Sequence, residues 1–190
     1  MKIFIVLFLL SSCINQGIPS FREYFDNDMI SHFPDSDASR IAASYFYPQH
    51  KSFYNLGVYL RETYECSIKN IDSLVYSLEK SNAVIVKHKD SCNLFIELYY
   101  NHGLNKKTTC SDIIPVPNFW EEIISLPEKD IKHLPDDFTL YLIEFKKGKF
   151  IDEYLLNNDA FKNTEWKNGI SKGVAISRKR RICIFWLEIW

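Results

Sequence analysis

Apolar positions along this 190-residue chain fall into three regimes. Ile3 to Leu10 is an unbroken apolar run of eight. Residues 21–33 and 67–80 repeat apolar positions three or four apart, the spacing of one helix face, and most of the remaining apolar runs alternate or cluster as strands do. Ser20-Phe21-Arg22-Glu23 fits a capping box and predicts a helix that Pro34 stops near His32-Phe33, with Phe21, Tyr24 or Phe25, Asp28 or Met29, and Ile30 on its inner stripe. Ile41 to Tyr47 and Leu56 to Thr63 read as strands. Ile68, Ile71, Leu74 or Val75, and Leu78 predict a helix over 67–80 that Asn82 can end.

Further along, Ala83 to His88 and Cys92 to Tyr99 flank Lys89-Asp90-Ser91 and predict a β-hairpin. Asn101 to Asn118, with Gly103, Pro115 and Pro117, reads as a long loop. Asn118-Phe119-Trp120-Glu121 opens a short helix that Pro127 closes. Phe138 to Phe145 is strand-like, a turn at Gly148 follows, and Phe150 to Leu156 returns. Gly173 to Ser177 and Arg181 to Ile189 make a last hairpin around Arg178-Lys179-Arg180. Strands joined by short turns, with helices set apart, predict an α+β domain: an antiparallel sheet built from hairpins with two or three helices packed on it. A parallel sheet would need a crossover helix between successive strands.

The first thirteen residues carry an address. Lys2 is a short positive head, and an eight-residue apolar run is too short for a membrane span of about 20 residues but suits a secretory signal. Leu10-Ser11-Ser12-Cys13 resembles the lipobox of bacterial lipoproteins. That resemblance implies cleavage before Cys13 and acylation of its sulfur and amino group, hence a membrane anchor of two or three chains, where a single chain would hold only marginally. The competing reading is plain secretory cleavage that leaves Cys13 as an ordinary thiol or a half-cystine. The expected organisation is a signal peptide over 1–12, a lipidated Cys13 and tether over 13–19, and one domain over 20–190.

Composition adds little to this. Lys plus Arg number 23 against 24 Asp plus Glu, so nothing marks a nucleic-acid partner. Hydrophobic residues make up 46% and aromatics 15%, enough for a folded core. Beyond Cys13 stand Cys66, Cys92, Cys110 and Cys183, and four cysteines allow three connectivities in an oxidising compartment. Cys92 and Cys110 are closest in sequence, while Cys183 sits in an apolar run and reads as a buried thiol.

Catalytic spellings are present without their contexts. Gly169-Ile170-Ser171-Lys172-Gly173 spells a nucleophile elbow, yet a strand follows it and no His lies beyond His133. Ser77-Leu78-Glu79-Lys80 spells S-x-x-K without the companion motifs of penicillin-binding enzymes. His32, His50, His88, His102 and His133 show no zinc spacing, and no metal or other cofactor is expected. His88 with Cys92, or His102 with Cys110, could pair a base with a thiol, but each reads more simply as a solvated loop residue. Arg178 to Arg181 could approach anionic lipid, but better suits an exposed hairpin turn that discourages edge pairing.

Alternation in the last strand puts Ile182, Ile184, Trp186, Glu188 and Trp190 on one face and Cys183, Phe185, Leu187 and Ile189 on the other. Both faces are apolar, which predicts an internal strand. The alternative is that Trp186, Glu188 and Trp190 form a sugar-binding platform. Taken whole, the chain resembles lipoproteins of Bacteroidetes-type bacteria that carry no assigned role, a likeness confined to Met1 to Cys13. It implies an envelope protein held to a membrane through Cys13. The acid-free Ile14-Asn15-Gln16-Gly17 and the lack of an Asp after Cys13 favour the outer membrane, facing the periplasm. The expected function is binding of a protein, glycan or small ligand, without catalysis. Alternatives are an immunity-type protein that neutralises a toxin and an envelope hydrolase.

Overall fold

The computed structural model describes residues 21–35, 39–47, 57–86, 93–96, 113–119, 134–156 and 165–190. Eight strands and two α-helices are found among them: β1 (Arg40–Phe46), β2 (Val58–Glu65), β3 (Val84–Val86), β4 (Asn93–Ile96), β5 (Ile114–Pro117), β6 (Thr139–Lys147), β7 (Gly169–Ser177), β8 (Ile182–Ile189), α1 (Asn27–Ile30) and α2 (Ile68–Lys80). Six strands join in one antiparallel sheet of order β1-β2-β8-β7-β6-β3, and β4 and β5 pair in a separate two-stranded sheet. The fold is α+β in outline and dominated by its sheet.

The predicted strand at the C-terminus is internal, with β2 on one side and β7 on the other. Cys183, Phe185, Leu187 and Ile189 enter one core with Ile71, Val75 and Leu78 of α2 and with Phe25 and Phe33. Ile184 and Trp186 enter another on the opposite face, with Val116, Phe119, Leu134 and Phe138. Covering on both faces explains why the strand carries large apolar residues at successive positions rather than an apolar and polar alternation.

Helix α2 forms for local reasons. The Ser67 side chain accepts from the Asn70 N–H at 3.2 Å, and the inward residues recur at helical spacing. Its end is a Schellman turn in which the Ala83 N–H donates to Leu78 O and the Asn82 N–H to Glu79 O, with Asn82 at φ 59°. Asn tolerates that left-handed conformation better than most residues.

Four expectations are corrected. The single helix over 21–33 is instead a 3-10 turn, Phe21–Tyr24, followed by the one-turn α1. Asp26 lies extended between them at ψ 140°, which lets Phe25 and Phe33 both reach the core. The hairpin over 83–99 is not formed, because β3 pairs with β6 and β4 runs parallel to β5. Alternation marks a strand but does not choose its partner. The long loop over 101–118 contains β5 at its end. Phe150 to Leu156 does not return as a strand but makes a 3-10 turn at Glu153–Leu155, with Leu155 and Leu156 buried. The predicted helix after Asn118 falls largely outside the described residues, as do the expected signal peptide over 1–12 and Cys13.

Candidate functional site

One of the sequence motifs turns out to be a device of packing. Ser171 lies in the middle of β7, fully buried, where its hydroxyl donates to Pro115 O at 3.0 Å and accepts from Trp186 Nε1 at 3.3 Å. Nothing in that position forms an elbow. Gly169 and Gly173 face Trp190 and Trp186: a Cβ at Gly169 would lie 2.7 Å from Trp190 Cζ2, and one at Gly173 would lie 2.6 Å from Trp186 Cη2. The G-x-S-x-G spelling therefore records two missing side chains that make room for two indoles. Ser77 is exposed on α2 and donates to Leu74 O at 2.7 Å.

The proposed platform of Trp186, Glu188 and Trp190 is interior. All three are 0% exposed. Glu188 Oε1 accepts from Arg61 Nε at 2.9 Å and from Arg61 Nη2, and Arg61 Nη1 donates to Asn118 O at 3.1 Å. The guanidinium lies 5.0 Å from the Tyr59 ring centroid. Trp186 packs edge-on to Phe119 at 5.5 Å, and Trp190 Nε1 donates to Trp166 O at 2.8 Å. Neither indole of this set presents a face to a sugar, so the alternative of a platform gives way to the core that an internal strand predicts.

On the other face, Glu62 is 1% exposed and ion-paired to Arg22 and Arg40, with the Tyr64 hydroxyl donating to it. Burial alone would raise its carboxyl, but hydrogen bonds from Arg22 and Tyr64 and the two guanidinium charges outweigh that and hold it below the usual range. His32 Nε2–H donates to Trp186 O at 2.9 Å, and its ring sits against Phe33. Burial, with a smaller push from Lys172, lowers its pKa to about 4, so the ring is neutral at pH 7. His50, His88, His102, His133, Cys92 and Cys110 lie outside the described residues. Among the described residues no group of three or more His, Cys, Asp or Glu could hold a metal. The basic turn is tied down, with Arg178 paired to Asp72 and Arg180 to Asp137.

Among the described residues, a cleft of about 450 Å³ lies between the N-terminal turns, the start of β2 and residues 149–155. Its base is apolar: Phe25, Val58 and Leu155 are buried. The Gly57 N–H donates to Leu155 O at 2.9 Å and fixes the 3-10 turn against β2. One wall is aromatic, with Tyr24 and Tyr47 stacked at 5.4 Å and Phe25 edge-on to Tyr47 at 5.8 Å.

Two exposed carboxylates, Asp26 and Asp152, border the same cleft. Each stands at the N-cap of a short helical turn, and neither side chain makes the capping bond. Burial first, then the neighbouring Tyr154, Asp152 and Asp26, push the Tyr47 hydroxyl up, so it keeps its proton and can donate at neutral pH. Lys149 is the cation of the set and pairs with Glu153 at 2.7 Å. A ring-sized ligand could lie on tyrosine while its hydroxyl or ammonium hydrogens reach the carboxylates.

Sequence reasoning missed this cleft. Its members come from four separate stretches, so no local pattern marks them. Comparison with protein-family models, with curated proteins and with solved structures returned no match.

Proposed function

We propose that this chain is a lipid-anchored cell-envelope protein whose domain binds a sugar ring or short glycan and performs no chemistry on it. The cleft carries the reading: about 450 Å³, within the range of small-ligand sites, with an aromatic wall and two carboxylates not engaged in capping. Aromatic faces cover the apolar faces of sugar rings, and carboxylates accept from ring hydroxyls. The lipobox-like Leu10-Ser11-Ser12-Cys13 supplies the anchor, with 13–19 as tether and the outer membrane, facing the periplasm, as the location. Two or three helices complete the α+β domain in this reading, the third opened by Asn118-Phe119-Trp120-Glu121. Binding is favoured over catalysis because Ser171 is committed to packing and His32 to the Trp186 carbonyl.

Calorimetric titration of the full chain in detergent, against a panel of neutral and amino mono- and disaccharides, tests the cleft. At least one sugar should give saturable binding that Tyr47→Ala and Asp152→Asn each weaken by about tenfold or more. Binding that is absent across the panel, or indifferent to Tyr47→Ala, refutes the assignment. Mass spectrometry of the mature N-terminus tests the anchor: Cys13 should carry acyl chains, and Cys13→Ala should accumulate as precursor. An unmodified or differently cut N-terminus removes it.

A further inference from the structure

Cys66 and Cys183 are far apart in sequence and meet at one end of the β2–β8 ladder. The register runs Tyr64↔Cys183 and Glu65↔Ile182, and the Cys66 N–H donating to Arg181 O at 2.7 Å extends it by one position. Alternation along β2 then puts Cys66 on the same face as Tyr64 and Cys183, one same-face position along the ladder from Cys183. Cys66 packs against the core cluster that contains Cys183, and the two thiols hydrogen bond to each other. Cys66 is half-buried, whereas Cys183 is 0% exposed.

We propose that Cys66 and Cys183 are a disulfide-forming pair, oxidised by exchange with a small disulfide such as oxidised glutathione, and that the bond pins the junction of β2 and α2 to β8. Exposure sets the order of the two steps. The Cys66 thiolate attacks one sulfur of the small disulfide, making a mixed disulfide and releasing one thiolate, which takes up a proton. The Cys183 sulfur, losing its proton, then attacks the Cys66 sulfur, closing the protein disulfide and releasing the second small thiol. Two protein thiols lose two electrons and two protons, and the small disulfide gains them. The polarity of the contact fits this order: the hydrogen bond from Cys183 lowers Cys66 despite burial, while the same bond and then burial push Cys183 up. The pairing is independent of what the cleft binds.

The reduced full chain should be exposed to oxidised glutathione, denatured with an alkylating agent and cut with trypsin. Cleavage after Arg61, Lys69 and Arg181 gives peptides 62–69 and 182–190, expected as one linked species two hydrogens lighter than their sum. Cys183→Ala should stop at a glutathione adduct on Cys66, and Cys66→Ala should leave Cys183 unreacted in the folded protein. Linkage of either cysteine to Cys92 or Cys110, a lasting glutathione adduct on wild-type Cys66, or both thiols recovered as alkylated peptides overturns the proposal. Ready modification of Cys183 in folded Cys66→Ala overturns the order of steps.

Discussion

Replacing Trp186 by Ala is the sharpest test of the C-terminal strand. The indole is 0% exposed in the second core, edge-on to Phe119 at 5.5 Å, and its cross-strand neighbour on β7 is Gly173. Truncating a buried Trp costs about 3 to 5 kcal/mol, and the value rises with the cavity that remains. Gly173 has no side chain to swing into the space, and Ser171 stays hydrogen-bonded to Pro115 O, so the site has little means of collapse. The expected loss is therefore at the upper end, about 4 to 5 kcal/mol, a large share of a typical domain's 5 to 15 kcal/mol. In urea, with a slope of about 2 kcal/mol/M, the midpoint should fall by about 2 M. In heat the same loss should lower Tm by about 10 to 20 °C. Any sugar binding at the cleft should persist below the new midpoint, because the cleft lies on the opposite face of the sheet. An unchanged midpoint, or binding lost while the midpoint holds, would show that Trp186 is a contact surface and refute the packing account.

Gly173→Ala should destabilise by about 3 kcal/mol or more, since the new Cβ meets both the Trp186 indole and the rigid backbone carbonyl of Tyr141, and a urea midpoint reads it directly. Glu62→Gln should cost about 3 kcal/mol at pH 7 by leaving the Arg22 and Arg40 guanidiniums beside an uncharged group. Because the Glu62 carboxyl is held low, its contribution is full above the usual carboxylate value of 4.5 and is lost as pH falls through its lower folded value, so the wild-type and Glu62→Gln stability curves should converge in acid. His32 has the same sign: a folded value of about 4 against 6.5 unfolded makes its neutral form stabilising above 6.5 and erodes stability as pH falls from 6.5 to 4. His32→Gln, which can still donate to the Trp186 carbonyl but does not titrate, should remove that slope from a pH series of denaturation midpoints.

Interactions between near neighbours in the chain were legible in the sequence. Residues 67 to 82 announce α2 because periodicity and a terminator at Asn82 are properties of contiguous residues. The hairpin of β7 and β8 was equally plain, and so was the double covering of β8, because apolar residues on both faces of a strand leave water no face to occupy. Tertiary structure alone decided the partners. An alternating run carries no record of which strand it will meet, so β3 joining β6 and β4 joining β5 had no local signature. The 3-10 turn where Phe150 to Leu156 was expected to be a strand follows the same logic, since burying Leu155 and Leu156 against a distant core overrides local preference. Charge was the least legible property. Glu62, Arg61 and Glu188 look like surface residues until the fold surrounds each with a counter-charge, and desolvation is a property of surroundings rather than of residue type. Cys66 met Cys183, and Tyr24 met Tyr47 beside Asp26 and Asp152, for the same reason: the sheet brings together stretches that the chain keeps apart.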